Sequence, residues 1–333
     1  MKILIMGGAG MIGQKLLNLL LKKEKLNNQK ISEITLFDII EAPYPNNTNI
    51  PIQSKSGDIS DIDVSKNLIL SKPDIIFHLA AIVSGQAEQE FDLGWDINAK
   101  GSWGLFEAIR HQGENYCPRL VFTSSIAVFG APFPDKIPDD FFTTPLTSYG
   151  AQKAISELLL ADYSRKKMID GVSIRLPTIC VRPGKPNLAA SGFFSGIIRE
   201  PLNGQEAILP VNPDVRHWHA TPRAAAGFLV HAAEMDTSKL NDRITLNMPG
   251  LSVTVQEQID ALERVAGSDV VKLIKHQPDP TIQKIVSGWA RDFDTKRSIE
   301  LGFKAETNFD EIIKTYIEDD LKNNLIYKHN TGK

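Results

Sequence analysis

Short runs of β-branched and aromatic residues alternate with longer stretches in which apolar positions recur every three or four residues. KILIM precedes an amphipathic stretch from Met11 to Lys25; EITLF is followed by IPIQ; DIIFHLA leads into Gln86 to His111; RLVFTS leads into Ser148 to Met168; and GVSIRL closes the series. Strands that are apolar on both faces need cover on both sides, and the intervening helices supply it as crossovers between parallel neighbours. The pattern predicts an α/β fold with a doubly wound parallel sheet.

Beyond Arg175 the rhythm breaks. A Pro/Gly-rich loop (PTICVRPGKPN) comes first, then helices near Gly192 to Glu200, Pro222 to Met235, Thr254 to Ala266 and Phe309 to Lys322, with a small β element among them. We read residues 1–176 as a nucleotide-binding domain and 177–333 as a mainly substrate-binding α+β lobe closing over the end of the sheet. With no internal repeat and no long linker, the two are expected to form one integral fold.

Composition narrows the function classes. The 333 residues carry a net charge of −3, which offers no electrostatic case for nucleic acid or an anionic membrane. Cys117 and Cys180, each set in an apolar stretch, are expected to be two buried thiols in a reducing compartment, with no disulfide and no metal site. The first apolar run is short and broken by glycine, unlike a signal peptide, and no run reaches the length of a membrane span. A cytoplasmic protein is expected.

In GGAGMIG the glycines Gly7, Gly10 and Gly13 directly follow a strand and open a helix. Without side chains they let the backbone turn tightly and approach a pyrophosphate, whose charge would sit at the helix N-terminus beside Met11 and Ile12. This marks the sheet as Rossmann-type. Asp38 ends the second strand, where a carboxylate takes both ribose hydroxyls of the adenosine. No Arg or Lys follows within residues 39–49 to receive a 2′-phosphate, so NAD is favoured over NADP. Asp58, with Ile59 beside it, either meets the adenine amino group or caps a helix. Leu79, Ala80 and Ala81 end the fourth strand with small side chains past which a cofactor can run, and His78 reads as a core histidine. Asn98, inside a helix, either braces the site or lies on the surface.

Ser125, Tyr149 and Lys153 compose the chemical end. Oxidising a secondary alcohol requires a base within hydrogen-bond reach of its hydroxyl as hydride leaves the carbon. Tyrosine is a poor base at neutral pH unless positive charge lowers its pKa. Lys153 lies one helical turn beyond Tyr149 and can supply that charge. Ser125 would hold the reacting oxygen, and strand alternation sends its neighbour Ser124 to the other face.

In these motifs the chain resembles the short-chain dehydrogenase/reductase superfamily, in its extended branch that includes sugar-nucleotide epimerases. GGAGMIG, Asp38, Gly57-Asp58-Ile59, HLAA, Asn98, SSIAVFG, SYGAQK and RLPT occur in that family's order along essentially the whole chain. The resemblance implies catalytic roles for Ser125, Tyr149 and Lys153, and contacts to NAD from Tyr149 and Lys153 as well as from the glycine turn. It also implies a homodimer built on the helices about Gln86 to His111 and Ser148 to Met168.

The acidic pair of the family's dehydratases is absent, since Ile126 and Ala127 follow Ser125. The Arg-Asp-aromatic element of its epimerases is also altered, to Arg216-His217-Trp218. HLAAIVSGQAEQEFDLG, RLPTICVRPGKPNLAASGFFSGIIREPLNG and NMPGLSVTV are similar to the D-erythronate dehydrogenases of bacterial sugar-acid catabolism, which implies oxidation of the C2 hydroxyl of a short aldonate. The alternative is a nucleotide-sugar epimerase with tightly bound NAD.

A carboxylate substrate calls for a fork-shaped cation. Arg182 is the first candidate, with Arg175 and Arg216 behind it. Ser84 and Thr178 either reach substrate hydroxyls or satisfy turns, while Phe193, Phe194 and Trp218 read as packing.

Overall fold

The computed structural model describes residues 1–184 and 190–321. Residues 185–189 of the expected Pro/Gly-rich loop, and Lys322 at the expected end of the last helix, lie outside the described residues. Six strands lie in chain order: β1 (Lys2–Met6), β2 (Glu33–Asp38), β3 (Ile52–Ser56), β4 (Ile75–His78), β5 (Arg119–Ser125) and β6 (Asp170–Leu176). A seventh, Thr245–Asn247, completes a sheet ordered β3-β2-β1-β4-β5-β6-(245–247), every neighbour parallel. The order reverses direction between β1 and β4. That switch point opens a crevice at the carboxyl ends of the strands, where ligands bind in such sheets.

Helices α1 (Met11–Lys23), α2 (Ile62–Ile69), α3 (Ser84–Gln89), α4 (Gly101–Arg110) and α5 (Ser148–Arg165) supply the crossovers. One large apolar core, with Leu4, Ile5, Phe77, Val121 and Phe122 of the strands fully buried, packs them onto the sheet. Several boundaries depart from the sequence reading. The strand expected at IPIQ sits further on, at Ile52–Ser56, where it pairs with Ile34 to Asp38. Helix α1 ends at Lys23 because Glu24 takes a left-handed φ of 56°, after which Lys25–Leu26 pairs with Gln29–Lys30.

The helix expected from Gln86 to His111 is not continuous. It breaks at Glu90 (φ −118°, ψ 75°), resumes over Phe91–Gly94, widens into a π-helical turn at Trp95–Lys100 and only then becomes α4. The widened turn carries Asn98 into the protein, where it is fully buried. Cys117 corrects another expectation: it is exposed, because the apolar stretch enters the sheet only from Pro118 onward, whereas Cys180 is buried.

The second half holds more β structure than the sequence pattern suggested. Thr178–Ile179 pairs with Arg216–Ala220, which pairs in turn with Leu251–Thr254, and Ala207–Leu209 pairs with Ile274–His276. These strands and the helices Gly192–Leu202, Val255–Ala266 and Phe309–Asp319 enclose a second core around Phe194, Ile197, Leu262 and Ile313. Two segments return to the first layer: strand Thr245–Asn247 beside β6, and helix Pro222–Glu234, packed on α1. The Arg119 guanidinium donates to the carbonyls of Ala232, Ala233 and Met235, which satisfies the C-terminus of that helix.

Candidate active site

Gly7 sits at φ 88°, and a Cβ there would lie 2.8 Å from the Ala80 nitrogen, so a side chain would collide with the end of β4. The turn therefore packs directly on Leu79 and Ala80. Gly10 caps α1 without a side-chain hydrogen bond, and the first intrahelical bond runs from Gln14 N–H to the Gly10 carbonyl. The amides of Met11, Ile12 and Gly13 thus stand at the helix N-terminus without intrahelical acceptors. Unspent donors and a positive dipole end are what a pyrophosphate requires. Beside them the Asp38 carboxylate accepts from Ala9 N–H (2.9 Å) and Ile39 N–H (2.8 Å), one on each oxygen, which fixes it while leaving lone pairs for two hydroxyls.

Asp58 accepts from Ser60 N–H at 2.8 Å, and the cap of α2 is Asp61, so capping is not what Asp58 does. Ile59 is buried against Gly101. Asn98 accepts from Ile82 N–H (3.0 Å) and donates to the Ile82 carbonyl (3.3 Å) and to Gln152 Oε1 (2.8 Å). It clamps the segment after Ala81 to α5 and is no surface amide. His78 is a core histidine: its Nε2 meets Ser102 at 2.9 Å, and burial lowers its pKa to about 3.

The chemical residues converge at the carboxyl ends of β5 and β6. Ser125, the last residue of β5, lies opposite Leu176 and accepts from Ala127 N–H at 3.1 Å. Thr147 caps α5 through Gly150 N–H, which sets Tyr149 and Lys153 on the first two turns. Burial pushes the Tyr149 phenol up to about 12, opposed by the charge of Arg182 and a hydrogen bond with Ser125. Lys153 is almost fully buried; its Nζ donates to the Thr123 carbonyl at 2.9 Å and lies 5.8 Å from the Tyr149 ring centroid. Burial lowers its pKa to about 7, with Glu157 acting against the shift.

The strand does divide the two serines. Ser124 points away from Ser125 and donates to Glu157, which forms a buried bidentate pair with Arg175. Arg175 is thereby structural. Arg216 is also engaged elsewhere, on the Ser252 carbonyl and Glu257. Arg182 alone of the three has no acidic partner among the described residues. It donates to the Ile179 carbonyl (3.0 Å) and Ser191 (3.1 Å), and its partial burial lowers its pKa from the usual value. Ser84 opens α3, partly buried, while Thr178 Oγ1 meets His217 Nε2 at 2.7 Å. Phe194 and Trp218 are buried packing residues, and Phe193 is partly buried against Phe194.

Sequence reasoning missed Gln152, Glu157 and His217. Glu157 carried a usable signal, since it follows Lys153 by four residues and so shares a helix face with it. His217 and His219 alternate on one strand, which signals a shared buried face.

Residues 3–239 match the family model described as the NAD dependent epimerase/dehydratase family. The chain is 44% identical to a D-erythronate dehydrogenase of Cupriavidus necator, over 96% of this chain and 98% of that protein. It is 40% identical to a D-erythronate dehydrogenase of Haemophilus influenzae, over 96% and 100%. A crystal structure described as a nucleoside-diphosphate-sugar epimerase from Agrobacterium tumefaciens superposes with a TM-score of 0.94 at 54% identity, covering 97% of this chain and 95% of that one. NAD is the family's cofactor, and the glycine turn, the open helix N-terminus and Asp38 fit it. The chain belongs to the NAD dependent epimerase/dehydratase family and is an NAD-dependent enzyme.

Proposed function

We propose that the protein oxidises the C2 hydroxyl of a short aldonate, D-erythronate, to the 2-oxo acid. The observation that carries this reading is Arg182, a part-buried guanidinium with no acidic partner among the described residues, acting electrostatically on Tyr149. A part-buried cation without a counter-charge is a ready partner for an anion, and a substrate carboxylate beside the tyrosine would supply one. The two curated relatives named D-erythronate dehydrogenase support the same chemistry.

Tyr149 takes the hydroxyl proton at its phenol oxygen, Ser125 orients the reacting oxygen, and Arg182 holds the carboxylate. NAD, when bound, accepts the hydride. Lys153 places its charge under the tyrosine and offers a donor to the nicotinamide ribose, while Gly7, Gly10, Met11, Ile12, Gly13, Asp38, Asp58, Ile59, Leu79, Ala80, Ala81 and Asn98 form or brace the cradle. Ser84 and Thr178 serve substrate hydroxyls. Residues 177–333 supply most of the substrate side and 1–176 the cofactor side.

The same reading includes a homodimer. Phe91, Trp95 and Trp103 before and within α4, and Leu158 on α5, are large apolar side chains left exposed on the two helices expected to pair. No helix of the described residues is long and apolar enough to cross a membrane. We place the proposed enzyme in the cytoplasm.

The test is to add NAD with D-erythronate, L-threonate or a UDP-hexose and follow NADH absorbance. NADH formation with the aldonates supports the dehydrogenase. A UDP-hexose that changes configuration without NADH, with aldonates inert, replaces it with an epimerase.

A further inference from the structure

Thr178, His217 and the Ala290 carbonyl form a buried chain with a fixed direction. His217 Nδ1 lies 3.0 Å from the Ala290 oxygen, which can only accept, so Nδ1 carries the ring proton. In the neutral ring Nε2 is then an acceptor, and Thr178, 2.7 Å away, donates its hydroxyl proton to it. The ring is held neutral and in place: it is 3% exposed, stacked on Phe194 at 5.1 Å and flanked by Trp289 at 5.2 Å and His219 at 5.3 Å. Burial, with Arg182 nearby, lowers its pKa to about 4.

Thr178 stands two residues beyond Leu176, the strand partner of Ser125, and Arg182 binds the carbonyl of its neighbour Ile179. We infer that His217 makes Thr178 an acceptor-only hydroxyl in the substrate site, one that receives a hydrogen bond from a second substrate hydroxyl and rejects a carboxylate. Arg182 presents only N–H groups and Thr178 only lone pairs. The charged end of a polyhydroxy acid thereby finds donors at Arg182 and a further hydroxyl finds its acceptor at Thr178, which favours oxidation of the carbon next to the carboxylate. His217 is a positioning residue that acts through Thr178.

This rests on the dehydrogenase reading, so the experiment separates the two. D-erythronate is compared by kcat/KM with 2,4-dihydroxybutanoate and 2,3-dihydroxybutanoate, which each lack one further hydroxyl. The intact protein is expected to prefer erythronate over one of them by on the order of 100-fold, as leaving one buried acceptor unpaired would cause. Thr178→Val, nearly isosteric, is expected to shrink that preference at least about tenfold, chiefly through KM. His217→Phe should do the same, and His217→Gln, which returns an acceptor near Nε2, should restore most of it. Nitrogen NMR of the labelled protein should show the His217 proton on Nδ1. A proton on Nε2, or an unchanged preference in Thr178→Val with erythronate still oxidised, overturns this inference alone. NADH from none of the acids overturns both readings.

Discussion

Glu157 grips Arg175 through two parallel hydrogen bonds, of 2.9 Å from Nε and 2.8 Å from the terminal nitrogen, with both side chains 5% exposed. The pair ties α5 to β6 one helical turn after Lys153. Removing one partner strands the other charge in the interior, so Arg175→Met should cost about 3–5 kcal/mol in urea denaturation. Arg175→Met/Glu157→Leu should recover much of that loss, because neither charge remains.

Tyr149→Phe removes the proposed base and little volume. Turnover should fall on the order of 1,000-fold, within the range of general base catalysis, while calorimetric NAD affinity changes by less than about threefold. A variant with full turnover would remove Tyr149 from the chemistry. Because the phenol must be deprotonated to act, and burial has raised its pKa to about 12, oxidation by the intact enzyme should rise with pH through the neutral and mildly alkaline range.

Arg182→Met should raise KM for the aldonate roughly 100-fold, equivalent to about 3 kcal/mol for a charge-assisted contact. Thermal unfolding should show little loss of stability, since the substitution deletes a part-buried charge that lacks an acidic partner among the described residues. The guanidinium also lowers the Tyr149 pKa, so the pH profile of kcat should move to higher pH in this variant. A KM unchanged by the substitution would place the carboxylate elsewhere.

Three buried histidines make stability depend on pH. Burial lowers His78 to about 3, His217 to about 4 and His219 well below the usual value of 6.5. Below pH 6.5 the unfolded chain binds protons that the folded chain refuses, so stability present above that value is lost as pH falls. Between pH 7 and 5 the loss should be about 2 kcal/mol per histidine, read from urea midpoints. His78→Asn should flatten part of the slope.

The exposed apolar side chains on α4 and α5 predict the oligomer. Trp103→Glu/Leu158→Glu should halve the mass measured by light scattering while leaving the far-ultraviolet circular dichroism unchanged. An intact protein that is already monomeric would refute the interface.

Local rules made the first half of the chain legible. A strand, a glycine turn and a helix start are written in fifteen contiguous residues, and Tyr149 and Lys153 are one turn apart on one helix. Periodicity could not reveal the π-helical turn at Asn98, because its cause lies in Ile82 and Gln152, distant residues that need the amide. Nor could it rank the arginines: Arg175 and Arg182 both follow apolar residues, and only the fold shows that one meets Glu157 and the other meets no acid among the described residues. His217 was visible only as a departure from an epimerase pattern. Its link to Thr178 spans 39 positions and forms when two short strands come together.

The place of Thr245–Asn247 beside β6 bears on how the chain is made. During synthesis β6 is available about seventy residues before its neighbour Thr245, and until then it presents a bare row of backbone donors and acceptors. The sheet's last seam closes across a large sequence separation, which slows folding and leaves an adhesive edge in the interval. A fragment ending at residue 176 would keep that edge for good. Self-association is the fate expected of such a fragment, and the later part of the chain acts, among its other duties, as the cover that ends the hazard.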